Sequence, residues 1–303
     1  MTGTPGSPHA SGRDLMRTLP PQLASQARAF AEGPGQPAEP RNAASVVLLR
    51  PGAGEVEFYL LLRQQSMAFA AGMAVFPGGS VDQRDFDDAH IGWAGPSLAE
   101  WSARLGVDEA LARALLFAAV RETFEESGVL LAGPSADTVI SDTTGADWER
   151  DREALVSREL SLTAFAARRD LVIRTDLLAP WAVWVTPIFQ PRRYRTWFFL
   201  ARLPDGQTAR DVSTESTETL WTTSGKALQG VHAGTLAMMP PQYVTALELY
   251  GVPSPRAAAD LARHRELERI EPWVRFAGDE AHLEVPERLV ELGRRVLDEL
   301  GLA

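Results

Sequence analysis

The 303-residue sequence contains no cysteine. Disulfides and thiolate metal sites are therefore excluded, which fits a reducing, cytoplasmic setting. It also lacks an uncharged apolar run of the roughly 20 residues that a membrane-spanning helix needs; the best stretch, 177–191, is interrupted by Pro180 and Pro187. Net positive charge is missing as well. A formal charge of −10 argues against general affinity for nucleic acid or anionic membrane, so a polyanionic ligand would have to be met by a local basic pocket. The amino-terminal stretch is rich in Gly, Pro, Ser and Ala without an apolar signal core, and the chain ends Gly301-Leu302-Ala303, which is not a peroxisomal address. No internal repeat is found. What remains is a chain of 45% hydrophobic composition, enough for one large domain with extensions or two modest ones.

The densest signal lies at 118–128, Ala-Ala-Val-Arg-Glu-Thr-Phe-Glu-Glu-Ser-Gly. Helix formers run from Glu109 onward, Asp108 is placed to cap the amino terminus, and Gly128 stands where a left-handed residue ends a helix. Phe117, Val120 and Phe124 form one apolar stripe, and Leu111, Leu115 and Ala118 form a second that leads into Glu122, Glu125 and Glu126. Those three carboxylates, at i, i+3 and i+4, share one face near the negative end of the helix dipole. Such clustering makes sense around a hard divalent cation, which takes oxygen ligands; the plain alternative is a solvated acidic helix end. Arg121 could orient one carboxylate through a charge-assisted bond.

The string Arg121-Glu122-Thr123-Phe124-Glu125-Glu126-Ser127-Gly128-Val129 resembles the second half of the Nudix box, G-x5-E-x7-R-E-U-x-E-E-x-G-U with U apolar, Thr123 departing from the first U. Phe76-Pro77-Gly78-Gly79-Ser80-Val81-Asp82 resembles the first half. Gly79 and Arg121 are 42 positions apart where the pattern has 14, an insertion of 28 residues. An interrupted box of this kind is a feature of the Nudix branch that resembles coenzyme A diphosphatases. The resemblance implies a Nudix α/β/α sandwich with a mixed sheet, a helical insertion within the box at about 86–113, and a helical carboxyl-terminal extension. Its implied boundaries are a loosely ordered leader at 1–40, a Nudix domain at 41–240 and the extension at 241–303.

Implied site residues follow box position by box position. Glu122, Glu125 and Glu126 would hold Mg²⁺ or Mn²⁺, with Asp82 or Asp85 beside them; Asp85 stands at the pattern's first glutamate. Glu125, Glu122 and Arg121 would form the catalytic group. Nudix enzymes commonly bring a further glutamate from outside the box, and Glu215, slightly favoured over Glu218, stands in the corresponding region. Arg63, Gly72 and Phe76-Pro77-Gly78-Gly79 resemble the segment that precedes the box in coenzyme A diphosphatases, but Ala68 occupies the place of its second arginine. Gly78 and Gly79 would also bring backbone amides close to an anion.

Around the box, 45–50 and 57–63 read as a β-hairpin across Pro51-Gly52-Ala53-Gly54. Ser97-Leu98-Ala99-Glu100 reads as a capping box, ended by Gly106, that gives the insertion a helix of its own. Residues 147–169 read as a helical excursion, and 181–187 and 194–203 as strands. On the second of these, Arg193, Arg195, Trp197 and Phe199 alternate onto one face, and the two arginines beside aromatics suit a phosphorylated, adenine-bearing ligand. His90 and Trp93 are read as surface and packing residues, and Trp181 and Trp184 as core. In the leader, 15–19 and 23–30 offer short helices; beyond Pro240-Pro241 the chain reads as helical to its end. The expected activity is hydrolysis of a nucleoside diphosphate linked to another group, with coenzyme A, ADP-ribose, NADH or a nucleotide sugar as substrate; a nucleotide sensor without catalysis is the contrasting class. A small-molecule nucleotide is thus the expected partner, with no nucleic acid and no membrane, and the sequence leaves room for a homodimer.

Overall fold

The computed structural model describes residues 18–64, 72–87, 91–213 and 216–302. In chain order, helix α1 (Pro21–Glu32) precedes strands β1 (Arg41–Pro51), β2 (Val56–Arg63), β3 (Ala74–Val75), β4 (Gly78–Ser80) and β5 (Gly92–Ala94). Helices α2 (Leu98–Leu105) and α3 (Glu109–Ser127), strand β6 (Ala132–Gly133), helices α4 (Ala146–Val156) and α5 (Leu162–Arg168) and strand β7 (Val172–Arg174) follow. Strands β8 (Ala179–Val185), β9 (Tyr194–Arg202) and β10 (Ser216–Thr223) then lead into helices α6 (Ser224–His232), α7 (Pro240–Leu249) and α8 (Pro255–His264). The chain closes with β11 (Arg269–Ile270), β12 (Trp273–Ala277), β13 (Glu280–Glu284) and helix α9 (Glu287–Glu299).

The main sheet runs β10-β2-β1-β9-β8-β11. It is mixed: β1 runs parallel to β9 and antiparallel to β2, and β11 runs parallel to β8. Period-two alternation assigns its side chains to two cores. Val46, Leu48, Tyr59, Leu61, Trp197 and Phe199 pack against α2, α3, α4 and α5, whereas Val47, Leu49, Phe58, Leu60, Phe198 and Leu200 pack against α6 to α9. An α/β/α sandwich is the result.

One departure in the sheet prepares the site. At Leu49–Pro51 strand β1 pairs with β2, but at Ala43–Ser45 it pairs with β4 instead. Meanwhile the far end of β2 pairs with β3 at Leu61 and Leu62. The sheet therefore splits where β1 changes partner, and a cleft opens there.

The insertion folds as its capping box demands. Ser97 accepts from the Glu100 amide and the Glu100 carboxylate accepts from the Ser97 amide, while Gly106, at φ 67°, ends α2. Trp93 packs on Phe117, their ring centroids 6.1 Å apart, and donates to the Pro96 carbonyl; His90 lies outside the described residues. In the carboxyl-terminal part, helices α7, α8 and α9 are joined by β11 and by the hairpin β12-β13, which a helical reading of this region does not include. Among the described residues no helix is long and apolar enough to cross a membrane.

Candidate active site

Helix α3 has the ends its sequence dictates. Asp108 accepts from the Leu111 amide at 2.8 Å, and Gly128 adopts φ 71°. Thr123, the polar residue at an apolar box position, is fully buried, but its hydroxyl donates to the Ala119 carbonyl at 2.7 Å and leaves no unmet donor.

Arg121 is the pivot. Only 4% exposed, it grips Asp85 with two parallel bonds of 2.9 Å, from Nε and Nη2, and its Nη1 donates to Glu122 at 2.7 Å and to Glu125 at 3.3 Å. Burial works against its charge, yet Asp85, Glu122 and Glu125 hold its pKa above the ordinary guanidinium value. Asp85, buried in a 3-10 turn at Gln83–Phe86, also accepts from the Asp82 amide. It is the counter-ion of Arg121, a contact that its reading as a metal ligand did not anticipate. Asp82 is likewise engaged, capping the turn and bonding Arg84. Its carboxyl is held below the usual range, chiefly by that Arg84 bond.

The glutamates meet β4. The Gly78 amide donates to Glu126 Oε2 at 2.7 Å. A Cβ on Gly79 would stand 2.5 Å from Glu122 Oε1, so only glycine lets that carboxylate lie against the strand. Burial and then the charge of Glu122 push the Glu125 pKa up to about 7, even with Arg121 beside it. Four carboxyl groups, those of Asp85, Glu122, Glu125 and Glu126, thus gather around the guanidinium of Arg121 and the Gly78 amide. Such oxygen donors fit a hard divalent cation in kind. They are not a ready-made cage, because among the described residues no three His, Asp or Glu side chains converge as a ligand set.

These carboxylates line a cavity of about 660 Å³ at the split in the sheet. Its other walls come from Ser45, Arg63, Val75 and Phe76, from the last turn of α4, and from Met239, Pro240 and Leu283. Strand β9 contributes Tyr194, Thr196 and Phe198. Arg193 and Arg195 are not among the residues of that wall: they alternate onto the face on which Trp197 packs under α2 and α3, its indole donating to the Leu105 carbonyl. Arg193 is buried, donating to the Thr186 and Ala38 carbonyls and to Glu271, and it bonds structure rather than substrate. Arg195 shares its face and does not line the cavity.

Glu215 lies outside the described residues, and Glu218 is exposed on β10 and absent from the cavity wall. Sequence reasoning missed Arg152, whose Nη1 donates to the Glu125 carbonyl at 2.7 Å and closes the carboxyl end of α3. It missed Arg158 at the cavity wall too. The charged residues of the 147–169 segment were the available sign of either.

Comparison with known proteins points the same way. The family model of the NUDT19 Nudix domain matches residues 99–249. The Caenorhabditis elegans protein named "Putative nudix hydrolase 7" is 32% identical over 203 residues, covering 67% of this chain and 58% of the relative. The acyl-coenzyme A diphosphatase NUDT19 of Xenopus laevis is 25% identical over 252 residues, covering 73% of this chain and 66% of the relative. The chain thus spans about three-fifths to two-thirds of the length of these two curated relatives. The crystal structure of a NUDIX hydrolase from Alicyclobacillus acidocaldarius superposes with a TM-score of 0.63 at 26% identity, over 74% of this chain and 96% of that one. With the box glutamates gathered on one wall of the cavity and these relatives around it, the chain belongs to the Nudix hydrolase family.

Proposed function

We propose that this chain hydrolyses the phosphoanhydride of coenzyme A or an acyl-coenzyme A, giving 3′,5′-ADP and 4′-phosphopantetheine or its acyl form. The observation that carries the reading is the gathering of Glu122, Glu125 and Glu126 against Gly78 and Gly79 on the wall of a cavity large enough for a nucleotide. The names of the NUDT19 relatives support the choice of substrate.

Mg²⁺ or Mn²⁺ held by Glu122, Glu125 and Glu126 would supply Lewis-acid polarisation of the anhydride. The chain's own residues do the rest. Arg121, fixed by Asp85, keeps Glu122 and Glu125 oriented into the cavity. Gly78 and Gly79 keep side chains out of the space between strand and carboxylates. A carboxylate of this group, or Glu215, accepts the proton of the attacking water as one phosphate leaves. Opposite, Trp184 and Phe198 offer the apolar surface on which the remainder of the substrate can lie.

The test is product analysis with Mg²⁺ or Mn²⁺ on coenzyme A, ADP-ribose, NADH and a nucleotide sugar. Coenzyme A should yield 3′,5′-ADP, and Glu125→Gln should lower kcat by roughly 100-fold or more. Faster cleavage of ADP-ribose, NADH or the sugar nucleotide would move the substrate assignment. Nucleotide binding with no cleavage at all would make the chain a sensor.

A further inference from the structure

Arg158 follows directly on the last turn of α4 with φ 64°, in the left-handed region. Its own amide donates to the Leu155 carbonyl and the Leu160 amide donates to the Ala154 carbonyl, each at 3.0 Å, so the chain folds back over the helix end. Glycine is the residue this geometry favours, because a Cβ crowds the neighbouring carbonyl. Asp170, the other non-glycine residue with positive φ among those described, is of a type that tolerates the region through its short polar side chain. Arginine has no such relief. The fold carries a long cationic side chain where its absence would strain the backbone less.

That side chain stands at the cavity. It is 76% exposed, and its Nε lies 3.7 Å from Asp82 Oδ2, beyond hydrogen-bond length. Three other arginines of the cavity wall are committed. Arg121 is held by Asp85, Glu122 and Glu125, Arg152 by Glu149 and the Glu125 carbonyl, and Arg84 by Asp82 and the Leu160 carbonyl. Arg158 can exchange its loose contact with Asp82 for phosphate oxygens without breaking a formed hydrogen bond.

We propose that Arg158 is a specificity residue that binds a phosphate monoester of the substrate remote from the scissile anhydride. The guanidinium fork suits it, since a monoester presents several strong acceptors and close to two negative charges. Resting on the coenzyme A reading above, that group is the 3′-phosphate of the ribose. Binding it at the end of α4 distinguishes coenzyme A from nucleoside diphosphates that lack it.

The experiment is calorimetric titration of the metal-free full chain with adenosine 3′,5′-bisphosphate and with AMP, for the native protein and Arg158→Gly, beside thermal melts of both. The native protein should prefer the bisphosphate by about tenfold, the size of one charge-assisted hydrogen bond, and Arg158→Gly should close that gap while its Tm holds or rises. Arg158→Lys should retain part of the preference. A gap that is absent in the native protein, or unchanged in Arg158→Gly, overturns the assignment. A lower Tm for the glycine variant overturns the backbone argument beneath it. Loss of the gap on mutation without any coenzyme A cleavage would remove the proposed reaction and leave Arg158 assigned; cleavage with an unchanged gap would do the reverse.

Discussion

Gly78 and Gly79 are neighbours in sequence with different jobs, and single-methyl substitutions separate them. A Cβ at 78 would meet backbone, the Ala44 carbonyl at 2.5 Å and the Ser45 Cα at 2.6 Å, whereas the three atoms nearest a Cβ at 79 all belong to the carboxylate of Glu122. Gly78→Ala should therefore destabilise the fold by about 1–3 kcal/mol, the usual cost of overpacking, and thermal unfolding would register it. Gly79→Ala should leave Tm nearly unchanged, because a side-chain end can swing aside. Its hydrolysis rate should nonetheless fall by roughly 100-fold, since a displaced carboxylate loses its geometry. A Gly79→Ala enzyme of full activity would show that Glu122 need not rest against β4. Both glycines were legible from the box pattern, and the division of labour between them was not. Which of Asp82 and Asp85 meets the buried guanidinium of Arg121 was equally hidden, because that contact is made across an insertion.

At the scale of elements, helix α3 was fully legible: Asp108, the apolar stripes and Gly128 all specify the same span. What steadies its end was not. Arg152 of α4 bonds the Glu125 carbonyl and is itself held by Glu149, so α4 clamps the helix that bears the glutamates. The Arg152 bond keeps the Glu149 carboxyl below its ordinary value of 4.5. A depressed folded-state pKa means that the unfolded chain binds the proton more readily. The resulting stability is present above 4.5 and is lost as pH falls through the folded value. Glu149→Gln should thus lower Tm by about 1–3 °C at pH 7, a modest effect because the pair is partly exposed. That deficit should vanish in melts at a pH below the depressed folded-state value, where the carboxyl is protonated in both states. A deficit independent of pH would mean that packing, not charge, is what Glu149 provides. Strand β9 teaches the complementary lesson. Its alternation was visible in the sequence, but which face meets the cavity was not: Trp197 and Phe199 pack in the core under α2 and α3, which leaves Thr196 and Phe198 to the cavity.

For the whole molecule, the helices beyond residue 240 complete the second layer of the sandwich. Ala246, Leu247, Leu249, Ala258, Leu289 and Val296 cover Val47, Leu49, Phe58 and Leu60 of the sheet. A chain cut after Pro240 would expose that face to water, and we expect it to be insoluble or to melt without cooperativity. Recovery of a sharp calorimetric transition from the truncated chain would show that the layer is dispensable. The helices of this region were legible from their prolines, as at Pro240-Pro241. Its hairpin was not, because β12 is largely exposed and shows no buried run. The pairing of β1 with β9 has a further consequence, one of timing. Residues 41–49 find their parallel partners only at 194–202, and such distant contacts form late because closing the intervening loop costs entropy. During synthesis the carboxylate helix leaves the ribosome long before the centre of the sheet can close beneath it. For about half of its length, from residue 49 to residue 202, the nascent chain must carry β1 with its β9 edge unpaired, and that interval is where a folding chaperone would have its purchase.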